Sequence, residues 1–320
     1  MMEPILLTPA FKDYLWGGTK LKTEYGLKSD LDIVAESWEL SVYKDGQSTV
    51  ASGPDAGLSL SDYLKKCGRC ALGKKAEAFD YFPLLIKLID AKDNLSVQVH
   101  PSDAYALKNE GEYGKTEMWY ILEAEPGASL YYGLNKTISK EEFQSRIENN
   151  TVLEVLHQVP VHRGDVFFIE AGTIHAIGKG IVICEIQQNS NTTYRVYDYD
   201  RRDKNGNTRP LHIQKALEVA TLAPAVVPDI DRTPVNNDGY QKELLASCHY
   251  FTVEKLTVTG KAVLPVTGES FQSLIVTDGS GTLRMGDTVL PLKKGGSVFI
   301  PAQDNTYTVE GDCSLILSCL

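Results

Sequence analysis

The stretch NLSVQVHPSDAYA, residues Asn94–Ala106, alternates like a strand from Leu95 to His100. Leu95, Val97 and Val99 take one face, so Ser96, Gln98 and His100 share the other, because successive side chains on a strand point to opposite sides. An amide and an imidazole placed together in this way are either wetted or bound to something. Short alternating segments of the same kind recur along the chain, separated by clusters of Gly, Pro, Asn and Asp. That pattern predicts a sandwich or barrel of antiparallel strands, and hence a mainly β fold.

Helices interrupt this framework rather than alternate with its strands. A short one is expected near Ser59–Cys67 and another opens at Ser139, where Ser139 and Glu142 have capping-box spacing and Phe143 and Ile147 share a face. A further turn is expected around Val152–Leu156, and a helix across His212–Leu222. This arrangement disfavours a doubly wound α/β sheet. The stretch PAVVPDIDRTPVNNDG (Pro224–Gly239) is rich in turn formers and reads as a linker. It suggests an N-terminal unit, 1–235, with a small helical insertion at about 137–158, and a C-terminal unit, 236–320. The two echo one another: GDVFFIEAGTIHAI (Gly164–Ile177) can be laid on GSVFIPAQDNTYTV (Gly296–Val309) with one small gap. Thr306 or Tyr307 then falls where His175 stands, so the later copy is expected to lack a metal ligand there.

Bulk properties exclude several classes of partner. The 320 residues carry a formal charge of −10 and no basic run, which argues against nucleic acid and against an anionic membrane surface. The opening MMEPILLTPAFK has Glu3 where a secretory leader needs positive charge, and YFPLLIKLI (Tyr81–Ile89) is too short to span a bilayer. A soluble cytoplasmic protein is expected. Cys67 and Cys70 form a C-x-x-C with no second pair at zinc-ribbon spacing, and all six cysteines suit reduced thiols.

A second strand, GKTEMWYIL (Gly114–Leu122), puts Lys115, Glu117, Trp119 and Ile121 on one face. An acid beside a tryptophan on an inward face needs a partner, because burying an unpaired carboxylate is costly. Gln98, His100, Glu117 and His175 can be assembled around one cation, with Glu117 supplied by a neighbouring strand and His175 by a turn across the barrel. Two imidazoles, a carboxylate and a neutral amide leave a divalent ion with positive charge to spare. Zn²⁺ suits this N/O set with an open position, and Mn²⁺, Fe²⁺ or Co²⁺ could also occupy it.

The spacing from Gly164 through Glu170 and Gly172 to His175 resembles the second metal motif of the cupin superfamily. Most cupins have Pro where Glu170 stands, and their first motif has two histidines with the acid close behind; here Gln98 replaces one histidine and Glu117 lies seventeen residues past His100. Both departures match one branch, the type I mannose-6-phosphate isomerases. The resemblance runs through YLWGGTKL (Tyr14–Leu21), AESWELS (Ala35–Ser41), LIKLIDAKDNLSVQVHPSD (Leu85–Asp103), GKTEMWYIL, GTIHAIGKG (Gly172–Gly180) and QQNSNTTYRVYDYDR (Gln187–Arg201). It implies two cupin-like jelly-roll units with a small helical insertion, as in the short bacterial form. It further implies Gln98, His100, Glu117 and His175 as zinc ligands, with Arg195 as the catalytic arginine and Lys115 as the active-site lysine. The implied substrate is a small sugar phosphate, with mannose 6-phosphate and fructose 6-phosphate interconverted through a cis-enediol. Lys115 is then a candidate proton shuttle and Arg195 a candidate contact to a sugar oxygen or the phosphate. From the residues alone, Arg195 fits equally a surface ion network with Asp198, Asp200 and Arg201. Two rival classes share the ligand set: a non-haem iron cupin oxygenase, and a non-catalytic sugar-binding cupin.

Overall fold

Residues 2–202 and 205–320 are described by a computed structural model that is mainly β, with antiparallel ladders as the alternation predicts. The chain divides into two compact units, neither of them continuous in sequence. One comprises Met1–Tyr14, Thr19–Ile89 and Asp229–Leu320, the other Leu15–Gly18 and Asp90–Pro228. This differs from a linear cut near residue 235, since Thr19–Ile89 belongs with the C-terminal residues. The physical reason is strand pairing over long separations, which leaves no local trace in composition.

In the first unit, a ten-stranded sheet is built mostly from residues after Val235. Ile5–Thr8 joins it by pairing with Ser297–Ile300, Ile5 opposite Phe299. Lys261–Val266 (KAVLPV) shows how patterning drives burial, with Ala262, Leu264 and Val266 inside and the residues between them exposed. These side chains meet Leu274, Val298, Tyr307 and Leu315 in one apolar core, where each fully buried aliphatic side chain contributes roughly 1.5–3 kcal/mol relative to exposure. The expected helix forms over Leu60–Cys67 and is capped by Ser59, whose Oγ accepts from the Asp62 N–H at 3.1 Å. In the strand Glu36–Leu40, Glu39 is fully buried. Ser37 Oγ donates to its Oε1 at 2.5 Å, whereas its Oε2 finds no hydrogen-bond partner among the described residues. Burial pushes this carboxyl up to about 8.

The second unit carries the candidate site. One antiparallel ladder places Glu117–Ala124 between Val166–Ile169 and Ile181–Gln188. A separate five-stranded sheet runs Tyr194–Tyr197, Val97–Val99, His175–Ala176, Ser129–Leu134, Leu156–Pro160. Val97 and Val99 pack into a core with Phe143, Ile147, Ala216 and Leu217, which come from the helices Lys140–Glu148 and Ile213–Val219. Both helices were expected, and Ser139 Oγ accepts from the Glu142 N–H at 3.1 Å as the capping spacing predicts. A single turn, Val152–Val155, completes the helical insertion. Because the valines face these helices, Gln98 faces away from them. No helix among the described residues is long and apolar enough to cross a membrane.

Candidate metal centre and active site

His100, Glu117 and His175 are each at most 1 % exposed, and one potential ligand atom from each lies within 4.8 Å of the other two. His175 Nε2 is 3.4 Å from Glu117 Oε1, and His100 Nε2 is 3.7 Å from Glu117 Oε2. A four-coordinate ion with bonds of about 2.0–2.1 Å separates its ligand atoms by about 3.3–3.4 Å, so these spacings fit a cation of that class. Both imidazoles are also held in the tautomer a metal needs. His100 Nδ1 is 2.9 Å from the Thr192 carbonyl and His175 Nδ1 is 2.8 Å from the Thr173 carbonyl. Each Nδ1 can only donate there, which leaves the Nε2 lone pair pointing at the cluster. His175 is neutral: burial, reinforced by the positive charge of Lys115, holds its pKa down to about 3.

Gln98 lies beside this cluster on the adjacent strand. It is the register partner of His175, and its Nε2 lies 3.4 Å from His175 Nε2. A half-turn of the side-chain amide would present Oε1 there instead. His175 therefore comes from a strand beside Gln98 in the same sheet, not from a turn across the barrel as the sequence suggests. The reason is local. Its strand, His175–Ala176, is only two residues long and shows no periodicity. The turn before it depends on Gly172, whose φ is +94° and whose Cβ position would lie 2.8 Å from Thr221 Oγ1. The Gly172 N–H donates to the His100 carbonyl at 2.8 Å, tying the two histidine segments together.

Lys115 does not begin a strand, as expected from alternation; the strand starts at Glu117. Lys115 is nevertheless buried, with Nζ bonded to Glu117 Oε2 and 3.1 Å from His100 Nε2. Glu185 Oε1 is 3.9 Å from the same ammonium and accepts from Trp119 Nε1–H at 3.0 Å. Glu185 and Gln187 alternate on the same strand, Ile181–Gln188, yet their side chains have different partners. Gln187 turns instead to the Gln188 and Ser190 carbonyls.

Arg195 pairs with Gln98 on the side opposite His175. Directly opposed residues share a face, so His175, Gln98 and Arg195 form one row across three strands. The Arg195 backbone is pinned at both ends by His212, whose Nδ1 accepts its N–H at 3.1 Å and whose N–H donates to its carbonyl at 2.8 Å. The Arg195 guanidinium bonds Pro210 O at 3.0 Å. The surface ion network considered as its alternative forms without it: Asp198 accepts from Arg201 and Arg209. Those bonds hold the Asp198 carboxyl below its ordinary range despite the opposing effect of burial. In the C-terminal copy Tyr307, one of the two residues that the sequence aligns with His175, is 1 % exposed, and its hydroxyl donates to Gln272 Oε1 at 2.8 Å.

The chain is similar to known proteins along its length. Residues 5–124 match the family model for the type I phosphomannose isomerase catalytic domain, and residues 241–320 match the mannose-6-phosphate isomerase cupin domain. The chain is 40% identical to the mannose-6-phosphate isomerase ManA of Bacillus subtilis, covering 99% of each sequence. It is 37% identical to the mannose-6-phosphate isomerase of Streptococcus mutans, over 99% of this chain and 98% of that one. A crystal structure of mannose 6-phosphate isomerase from Bacillus subtilis superposes with a TM-score of 0.91 at 40% identity, over 99% of both chains.

Proposed function

The chain belongs to the type I phosphomannose isomerase family, and from that membership we propose that it interconverts mannose 6-phosphate and fructose 6-phosphate. The single observation that supports this most is the buried His100–Glu117–His175 cluster, with both Nδ1 atoms committed to carbonyls and Lys115 against it. Gln98, His100, Glu117 and His175 are the proposed ligands, and zinc the proposed ion. Bound there, the ion supplies Lewis-acid charge to the oxygens on C1 and C2 as negative charge develops.

The remaining work falls to the protein's own groups. Aldose and ketose differ by a proton moved between C1 and C2 through a cis-enediol, so one group must take that proton and return it. We assign that role to Lys115 Nζ, buried beside Glu117 and within reach of Glu185. Arg195 offers a permanently charged planar fork suited to a sugar oxygen or the phosphate. Its position in the row of Gln98 and His175 supports a role near the proposed ion. Six free cysteines suit a reducing compartment, and we place the reaction in the cytoplasm.

An iron oxygenase would use the same two histidines and acid. A buried lysine and a neighbouring arginine favour an anionic sugar over dioxygen and an apolar substrate. The test is direct: mannose 6-phosphate is incubated with purified protein, with and without prior chelation, and fructose 6-phosphate is measured. Product from the untreated protein, abolished by the chelator and restored by Zn²⁺, supports the proposal; no product from metal-replete protein overturns it.

A further inference from the structure

We infer that Asp103 is a positioning residue for Lys115, acting through the backbone of the segment that carries it. The inference rests on the role given to Lys115 above. Asp103 opens the helix Asp103–Asn109, three residues after His100. Its Oδ1 accepts two hydrogen bonds, from the Gly114 N–H at 2.8 Å and from Gln188 Nε2–H at 2.9 Å. Gln188 Oε1 in turn accepts the Thr116 N–H at 2.8 Å. Between them, the Lys115 N–H donates to the Pro101 carbonyl at 3.0 Å. Three consecutive N–H groups therefore end on three fixed acceptors, and Asp103 holds the first directly and the third through Gln188.

Close packing reinforces the clamp. A Cβ on Gly114 would lie 2.5 Å from both Asp103 N and Ser102 C, so only glycine lets the segment approach this near. Lysine carries a point charge on a long flexible stem, and the position of its ammonium is set only if its backbone is. The Asp103 carboxylate suits this task because hydrogen bonds to an ionised acceptor are stronger than neutral ones.

The test compares the metal-loaded parent with Asp103→Ala, Asp103→Asn, Lys115→Met and the Asp103→Ala/Lys115→Met double variant, measuring kcat and KM for mannose 6-phosphate together with bound metal. Asp103→Ala should lower kcat about 100-fold, the size of loss that a misplacement near 1 Å produces, with bound metal unchanged. Asp103→Asn, which keeps an acceptor oxygen, should recover most of that loss. In the Lys115→Met background the further effect of Asp103→Ala should shrink to about twofold or less, because the two changes remove one function. An equal loss in both backgrounds overturns the inference, as does an Asp103→Ala enzyme at parental kcat beside an impaired Lys115→Met. A Lys115→Met enzyme as active as the parent overturns the Lys115 assignment, and the positioning role with it. Gln188→Met, which frees the Thr116 N–H and removes one of the two bonds to Asp103 Oδ1, carries the same comparison if Asp103→Ala does not fold.

Discussion

Gln98 stands directly opposite His175 in an antiparallel ladder, with the two side-chain nitrogens 3.4 Å apart. Opposed Cβ atoms in such a ladder are about 4.5–5.5 Å apart, so an amide and an imidazole can share one ion without bending the backbone. Arg195 extends the row by one strand. A change at any member of this row is felt by its neighbours, and metal retention and turnover can be separated by choosing which member to alter.

Glu117→Gln keeps the size of the side chain and removes the only carboxylate of the set. The expected result is a loss of metal affinity larger than the roughly 10–100-fold typical of changes outside the ligand set, with activity lost in parallel. Elemental analysis after dialysis measures it. A full equivalent of bound zinc in this variant would remove Glu117 from the ligands.

Lys115→Met should retain the metal and lose turnover by roughly 10²–10⁴-fold, the range contributed by a positioned acid or base. The diagnostic measurement is exchange of the C2 proton of mannose 6-phosphate with solvent deuterium. Exchange at the parental rate would reduce Lys115 to a binding contact.

Arg195→Lys preserves charge and abolishes the planar fork. Loss of a charge-assisted hydrogen bond of about 1.5–3 kcal/mol predicts kcat/KM lower by about 10–150-fold, with zinc content unaltered. Parental kcat/KM would indicate that the guanidinium serves only its bonds to Pro210 and Ser96.

Gly172→Ala places a Cβ at φ +94°, 2.8 Å from Thr221 Oγ1. A non-glycine residue in the left-handed region costs about 1–2 kcal/mol before any clash. The variant should unfold at lower temperature and bind metal more weakly, because the same residue anchors the His100 carbonyl. Thermal unfolding with and without zinc tests both effects, and an unchanged gap between the two midpoints would contradict the second.

Glu39 makes stability depend on pH. Its carboxyl is raised by burial to about 8 from its ordinary value of 4.5, so the folded chain keeps a proton that the unfolded chain releases. Its contribution is fully present below 4.5 and is lost as pH rises towards 8, a change on the order of a few kcal/mol. Glu39→Gln should flatten that part of the profile. Urea midpoints measured at intervals from pH 5 to 8 check it: equal slopes for parent and variant would mean that Glu39 titrates normally.

Much of this site is legible in the sequence. Alternation through Leu95–His100 places Gln98 opposite the apolar face, and the histidine present at 175 but absent from the later copy marks it as a ligand candidate. Alternation fails at Lys115, where Gly114 packs on the Ser102–Asp103 backbone and the Thr116 N–H goes to a side chain rather than a ladder. No period records such contacts. The pairing of Gln98 with His175 is hidden for a related reason, since a two-residue strand has no pattern of its own. Asp103 and Gln188 carry no signal at all, because their task is to hold backbone groups distant in sequence.

The pairing of Ile5–Thr8 with Ser297–Ile300 also orders events during synthesis. Asp90–Pro228, which holds the proposed zinc ligands, leaves the ribosome while the partner of the first strand is still untranslated. Ile5–Thr8 must therefore wait with that edge open, exposed to chaperones and to other nascent chains, until Ser297–Ile300 has been made.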